Sequence, residues 1–174
     1  MVEKDTGPLV ALLRGVNVGG KNILPMRELT RLFVAAGCTR VKTYVQSGNV
    51  VFQPSPAGLK ESALGVTVPV LFRTAAELQT ALAANPYFHD GDNESKHFIM
   101  FLRDFPDPDR IAALNPERSP GDRFTVIGRE AYLDVVNAAK TKLTNAWFDS
   151  HLKTISTTRN MRTVRTLIQL ALAD

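Results

Sequence analysis

The chain has 174 residues, of which 44% are hydrophobic and 22% are charged, as in an ordinary globular protein. This composition excludes a disordered, collagen-like or disulfide-stapled chain, and the single cysteine, Cys38, has no partner for an internal disulfide. The formal net charge is +4, with +4 in residues 1–87, −4 in residues 88–139 and +4 in residues 140–174. This distribution favours an anionic partner, although uneven charge is also common on surfaces that bind nothing.

Nothing in the sequence indicates export or membrane insertion. No apolar run approaches the roughly 20 residues of a membrane span. The N-terminus, M-V-E-K-D-T-G-P, lacks the apolar segment of a signal peptide. With its single cysteine, the chain is therefore predicted to be cytoplasmic and to have no membrane partner.

The first half of the chain predicts four strands and two helices. Pro25 suits the first position of a helix, and Gly37 ends the helical spacing of apolar residues as a C′ glycine does. The polar segment 53–63 has room for one or two helical turns. The predicted strands are 9–13, 40–46, 50–52 and 66–72, and the helices are 25–36 and 75–84. Their order, β-α-β-β-α-β, is that of a ferredoxin-like plait, with two helices on one face of an antiparallel sheet.

The second half predicts the same order without a clear sequence repeat. The predicted strands are 97–103, 124–127, 131–135 and 154–156, and the helices are 108–114, 138–151 and 159–172. The fold class is therefore α+β, with tandem ferredoxin-like plaits at 1–87 and 88–174 and a C-terminal helix. In that helix, Arg159, Arg162 and Arg165 fall opposite the apolar arc, which predicts a basic stripe facing solvent.

A glycine-rich loop, L-L-R-G-V-N-V-G-G-K-N, follows the first strand. It contains the G-x-x-x-x-G-K of a phosphate-binding P-loop, but Asn22 stands where Ser or Thr would bind magnesium. The next helix also starts about one turn too late, and a plait lacks the parallel sheet of a P-loop fold. The loop is therefore either an anion-binding nest or a tight connection shaped by its glycines. Its candidate ligand-binding residues are Arg14, Asn17, Gly19, Gly20, Lys21 and Asn22.

A second polar cluster, Q-S-G-N, lies between the second and third strands. Gln46, Ser47 and Asn49 could donate or accept hydrogen bonds from a ligand. The alternative is a plain hairpin turn, because Ser, Gly and Asn favour turns for conformational reasons.

A third cluster, T-T-R-N-M-R-T, starts at Thr157. Thr157, Thr158 or Asn160 could cap the last helix. Arg159 near a helix N-terminus opposes the macrodipole, which points to a bound anion. The alternative is a capped helix with exposed arginines. The candidate ligand-binding residues here are Thr158, Arg159 and Asn160.

Residues for metal binding and catalysis are sparse. The three histidines are scattered along the chain, so no metal site is predicted. The acidic run from Asp104 to Asp109 lacks the glycine and distal glutamate of a calcium loop. No strand has the aromatic pattern of an RNA-binding plait. The residues indicate no cofactor and leave open whether the protein is an enzyme.

Taken together, the clusters resemble the family called domain of unknown function 1697, found mostly in bacteria. The resemblance covers nearly the whole chain and rests on L-L-R-G-V-N-V-G-G-K-N, P-M-x-E-L, Y-V-Q-S-G-N-V-V-F, N-P-Y-F and T-T-R-N-x-x-T. It implies two plait-like halves, Asn22 as a usual residue, and one surface shared by the three clusters. It implies no established activity, substrate or cofactor. Between Phe52 and Val66 the chain is short where relatives usually have a longer helix.

These observations predict a non-catalytic binder of an anionic ligand, such as a phosphorylated metabolite, a nucleotide or nucleic acid. The protein is expected to be a monomer or a homodimer. One alternative is a structural or interaction protein whose glycine-rich loop is only a turn. The other is an enzyme acting on a phosphorylated substrate, with Arg14 and Arg159 as clamps.

Overall fold

The computed structural model describes residues 7–173, which form two antiparallel sheets of four strands each. These residues divide into two compact units. The first takes in the described chain up to Gln79 and again from Thr166, and the second runs from Thr80 to Arg165. The predicted α+β class with tandem ferredoxin-like plaits is confirmed.

The sheet of the first unit has the strand order β2-β3-β1-β4, as in a ferredoxin-like plait. Helix α1 packs Leu29 and Phe33 against Val50 and Phe52 of the sheet, and the two phenyl rings meet edge-on with centroids 4.9 Å apart. The elements are β1 (Leu9–Leu13), α1 (Met26–Ala35), β2 (Thr39–Tyr44), β3 (Asn49–Gln53), a 3-10 turn (Glu61–Leu64), β4 (Val70–Thr74) and α2 (Ala75–Ala83).

The sheet of the second unit has the equivalent order, β6-β7-β5-β8. Phe148 and Leu152 of α4 share a core with Met100, Leu102 and Leu133 of the sheet. The elements are β5 (His97–Leu102), α3 (Pro108–Ala112), β6 (Arg123–Ile127), β7 (Glu130–Asp134), α4 (Asn145–Leu152), β8 (Ser156–Asn160) and α5 (Met161–Leu172), of which α5 continues into the first unit.

The two units are structural repeats, because equivalent backbone groups make equivalent bonds. The amide of Arg14 donates to the Pro69 carbonyl at 3.0 Å, and the amide of Arg103 donates to the Ile155 carbonyl at 2.8 Å. Each arginine directly follows the first strand of its sheet, and each carbonyl directly precedes the last strand. The repetition lies in the hydrogen-bonding register, which the sequences of the two halves do not make visible.

The end of the second unit corrects the sequence-based prediction. Strand β8 runs to Asn160, so T-T-R-N is a strand, and α5 begins only at Met161. Thr157 and Thr158 pair with β5, and such β-branched residues suit a strand. The basic stripe was wrong for Arg159, which is buried on β8. Arg162 is on the helix and keeps its side chain exposed.

Several predicted boundaries also shift. Helix α4 starts at Asn145, later than expected, because the hydroxyl of Thr144 caps it by accepting a bond from the Trp147 amide at 3.3 Å. The segment between β3 and β4 holds only a 3-10 turn, as its short length predicted. Among residues 7–173, no helix combines the length and the apolar character needed to cross a membrane.

Candidate functional site

The glycine-rich loop after β1 folds into a small hairpin of residues 17–22, called the glycine hairpin below. The amide of Lys21 donates to the carbonyl of Val18 at 3.1 Å. Between them, Gly19 and Gly20 have φ angles of 57° and 72°. Positive φ at both central residues is the requirement of a two-residue type I′ turn, which glycine meets without strain. The two glycines are therefore explained by the hairpin geometry.

This hairpin differs from a P-loop in both its backbone and its helix. The Lys21 amide is bonded inside the turn, whereas a P-loop directs such amides at phosphates. Helix α1 starts at Met26, after Pro25, and not at the lysine. The chain therefore offers no phosphate cradle of the NTPase type at this position.

Asn17 fastens the glycine hairpin to the rest of its unit. Its side-chain oxygen accepts from the Leu24 amide at 2.8 Å, and its side-chain nitrogen donates to the carbonyls of Leu24 and Gln46, both at 2.8 Å. Gln46 belongs to Q-S-G-N, so the structure brings the first two predicted clusters into direct contact. At the base of the loop, Asn22 donates to the Gly15 carbonyl at 3.0 Å.

The Q-S-G-N cluster forms the β2–β3 turn. Asn49 is fully buried, and its side chain donates to the Tyr44 carbonyl and to the Ser47 hydroxyl, both at 3.0 Å. These bonds give Asn49 and Ser47 a structural role within the turn. Gln46 exposes its side chain at the surface.

Gly48 lets the turn approach β1 closely. A Cβ atom at this position would lie 2.7 Å from the Cβ of Leu13, closer than two non-bonded carbon atoms approach in proteins. This close approach allows a backbone hydrogen bond, in which the Leu13 amide donates to the Gly48 carbonyl at 2.8 Å. Glycine is therefore the residue that this packing requires.

The glycine hairpin exposes one cation, and exposed apolar residues lie before and after this cation in the sequence. Val18 is 62% exposed and Ile23 is 75% exposed. Lys21 lies between them on the chain, is exposed, and forms no ion pair with any residue of the described range 7–173. Arg14, at the base of the loop, is half-buried. Of the two predicted cations, Lys21 is therefore the one at the tip.

A cavity of 270 Å³ lies beside the glycine hairpin. Its lining includes Leu24, Leu32 and Val66, together with the acid Glu28. A hydrogen bond from Arg31 lowers the pKa of the Glu28 carboxyl. Glu28 is therefore ionised and paired at neutral pH, which does not suit it to donate a proton in catalysis.

The third cluster lies on β8, in the second unit. Arg159 is buried and donates to the Thr157 hydroxyl at 2.7 Å and to the Thr158 carbonyl at 2.8 Å, and burial lowers the pKa of Arg159 to about 10. Asn160 caps α5, because its side-chain oxygen accepts from the Thr163 amide at 2.8 Å. Capping by one of three polar residues was predicted. Whether this cluster shares a surface with the other two stays a prediction.

Arg73, which the sequence did not single out, has the matching place in the first unit. It lies opposite Val10, as Arg159 lies opposite Ile99, and only 2% of it is exposed. Its guanidinium donates to the carbonyl of Phe72, the preceding residue, at 3.0 Å. The sequence contains one indication of this equivalence. An arginine followed by a polar residue, R-T in the first half and R-N in the second, precedes a helix in each half. This pattern can be interpreted only once the structural repeat is known.

The described part of the chain has neither a cluster of metal ligands nor a reactive thiol. Within residues 7–173, no group of three or more His, Cys, Asp or Glu side chains is placed to hold a metal ion. Cys38 is buried, and burial raises the pKa of its thiol. A protonated, buried thiol is a poor nucleophile.

The fold and the site together define an α+β protein of two ferredoxin-like plaits, the first of which presents a glycine hairpin that the Asn17 side chain fastens to its unit. The chain belongs to the family described as "Protein of unknown function (DUF1697)", whose model matches residues 7–132. Its fold is similar to that of the conserved bacterial protein SP0830 from Streptococcus pneumoniae, with a TM-score of 0.68 and 21% identity over 94% of this chain and 98% of that one. No curated protein matches the sequence.

Proposed function

We propose that this protein is a non-catalytic binding protein of the bacterial cytoplasm, and that its glycine hairpin presents Lys21 to an anionic ligand. The observation that supports this most is the contrast within the hairpin. Three bonds of the Asn17 side chain fix its base, while Lys21 at its tip is exposed and lacks an ion pair among residues 7–173. A cation held in a defined place at low conformational cost suits recognition.

The charge of the first unit supports an anionic ligand. Its described residues, 7–79 and 166–173, include eight Lys or Arg and only three Asp or Glu. A positive field of this kind raises the local concentration of anions and speeds their association. The single cysteine of the chain supports the cytoplasmic location.

The neighbour of Lys21 across the hairpin favours a nucleotide phosphate over a bare inorganic anion. Val18 pairs with Lys21 and is exposed, so its apolar side chain can pack against a base while the ammonium meets the phosphate. The same chemistry is offered by a free nucleotide and by a single strand of nucleic acid. Binding measurements with both ligands distinguish these two sources.

The test compares ATP with a fluorescein-labelled dT12 strand, using the full chain at several salt concentrations. Lys21→Gln is expected to weaken binding about fivefold or more, and to make the negative slope of log K against log salt shallower by about one. Lys60→Gln is the matched control, since Lys60 is also exposed and unpaired among the described residues. Equal effects of the two substitutions, or no binding of either ligand at 1 mM, would overturn the proposal.

A structural role for the motifs is the second candidate. The burial of Asn49 and the two hydrogen bonds that its side chain donates at the β2–β3 turn favour it, because such a side chain serves the fold. In this case Lys21→Gln changes neither ligand binding nor stability. Gly19→Asn, which keeps a type I′ turn sequence, would then also be silent in every binding measurement.

A further inference from the structure

We propose that the first unit has a second binding site, separate from the glycine hairpin, for small carboxylates that carry a short apolar chain. The site is a cavity of 270 Å³ at the start of β2, the end of β3 and the last turn of α5. Val51, Leu170 and Ala171 provide apolar walls, and Arg40 and Lys42 provide two cations. All of these residues belong to the same compact unit.

An irregularity in β2 places the two cations at this cavity. Thr39 lies opposite Gln53 and Lys42 lies opposite Val51, so β2 accommodates one more residue than β3 over this stretch. Arg40, within the irregularity, has a φ of 51°. A bulge of this kind bends a strand and redirects its side chains. A bulge also protects an outermost strand from pairing with other chains. Edge protection is therefore a simpler explanation of the bulge, and the experiment has to distinguish it from ligand binding.

Within residues 7–173, no acidic side chain neutralises the two cations of the cavity. Arg40 and Lys42 are both exposed, and neither forms an ion pair with a residue of the range 7–173. The described residues that line the cavity include no aspartate or glutamate. A carboxylate can accept two parallel bonds from a guanidinium and a third from an ammonium. Edge protection alone would not require an apolar cavity beside these charges.

The walls and the volume of the cavity determine how long the apolar chain of the ligand can be. Val51 and Ala171 have hydrocarbon side chains, so the side-chain atoms that they present to the cavity are carbon. A volume of 270 Å³ corresponds to about nine water molecules at roughly 30 Å³ each, which accommodates a carboxylate of about six to eight carbons. Each methylene that leaves water should raise affinity about fourfold, until the cavity is filled.

The first experiment titrates ¹⁵N-labelled full-length protein with butanoate, hexanoate and octanoate, and with 1-hexanol as the uncharged control. The expected result is tighter binding with each longer carboxylate, about tenfold weaker binding of 1-hexanol than of hexanoate, and shifts of the amides of Lys42, Val51 and Ala171. Affinity that does not depend on chain length, or shifts spread over the whole first unit, would overturn the proposal.

The second experiment uses charge variants of the same protein. The double substitution Arg40→Gln and Lys42→Gln is expected to weaken hexanoate binding at least tenfold. The pair Arg27→Gln and Lys60→Gln removes the same charge from other exposed positions of the unit and should leave hexanoate binding unchanged. An equal loss of hexanoate affinity in the two double variants would show that only net charge matters, and would reject the site. Lys21→Gln should retain hexanoate binding, so this test is independent of the glycine hairpin.

Discussion

Arg73 and Arg159 hold the same register position on the last strands of the two sheets. Each is buried, and each donates a hydrogen bond to the carbonyl of the residue before it. The next residue then caps a helix in both units, Thr74 for the Glu77 amide and Asn160 for the Thr163 amide. A buried guanidinium is costly unless it is hydrogen-bonded, so its occurrence at both places marks it as a structural feature of the repeat.

Removing either buried arginine should therefore destabilise the protein strongly. Arg159→Ala and Arg73→Ala are each expected to lower the free energy of unfolding by about 3 kcal/mol, because bonded partners lose their donor and a cavity remains. Arg162→Ala is the control from the same segment. Its side chain is 78% exposed, so the loss should be below about 1 kcal/mol. Urea titrations followed by circular dichroism measure the three values, and similar losses for Arg159 and Arg162 would contradict this account.

Gly48 and Gly58 allow the close approach at the β2–β3 turn to be measured apart from backbone strain. Both have positive φ, 78° and 79°, so alanine at either position incurs a strain of about 1 kcal/mol. A new Cβ at Gly58 meets nothing within 4 Å, whereas at Gly48 it meets the Cβ of Leu13 at 2.7 Å. Gly48→Ala should therefore cost about 2 kcal/mol more than Gly58→Ala in chemical denaturation. Equal costs would show that the turn moves away from β1 without penalty.

Much of the fold follows from patterns that are local in the sequence. The apolar run at Leu9–Leu13 and the helical spacing that ends at Gly37 were sufficient to predict the first strand and helix. The T-T-R-N segment was assigned to a helix end, because its strand pairing is with β5, more than 50 residues earlier. Local residue types do not encode that pairing.

In the candidate site too, local features were predicted from the sequence and contacts between distant residues were not. Glycines, Asn22 and Lys21 suggested a shaped basic loop, and the structure contains one. The role of Asn17 was beyond prediction, since its bond to the Gln46 carbonyl spans 29 residues. The equivalence of Arg73 and Arg159 was hidden for a related reason, because it is defined by register and not by residue type.

Asn17 should control the order of the glycine hairpin. Asn17→Asp keeps the oxygen that accepts from the Leu24 amide and removes both donors, whereas Asn17→Gly removes the side chain but tolerates the φ of 54°. Amide hydrogen exchange at Leu24 should accelerate about tenfold in Asn17→Gly, which loses all three bonds. It should also accelerate in Asn17→Asp, because a carboxylate oxygen would replace the nitrogen that lies 2.8 Å from the carbonyls of Leu24 and Gln46. Asn22→Gly, which loses only the bond to Gly15, should leave exchange at Leu24 slow. Fast exchange at Leu24 in the unmodified protein would contradict the proposed rigidity.

Tyr132 should make the protein sensitive to alkali. It is 1% exposed on β7, and burial, together with the nearby charge of Glu130, raises the pKa of its phenol well above the ordinary value near 10. Above about pH 10 the unfolded chain releases this proton while the folded chain keeps it, so this group lowers the free energy of unfolding as pH rises, by up to about 1.4 kcal/mol per pH unit. Arg159, with its pKa lowered to about 10, contributes with the opposite sign in the same range.

The measurement must therefore compare variants at each pH. Tyr132→Phe removes only the phenol contribution and leaves that of Arg159. Above pH 10, the slope of its free energy of unfolding against pH should therefore be more positive than that of the unmodified protein. Tyr44→Phe, which changes a half-buried tyrosine of β2, should keep the slope of the unmodified protein. Urea titrations at half-unit steps from pH 8 to pH 11 give the slopes directly. Identical slopes for the unmodified protein and Tyr132→Phe would show that the buried phenol does not govern alkaline unfolding.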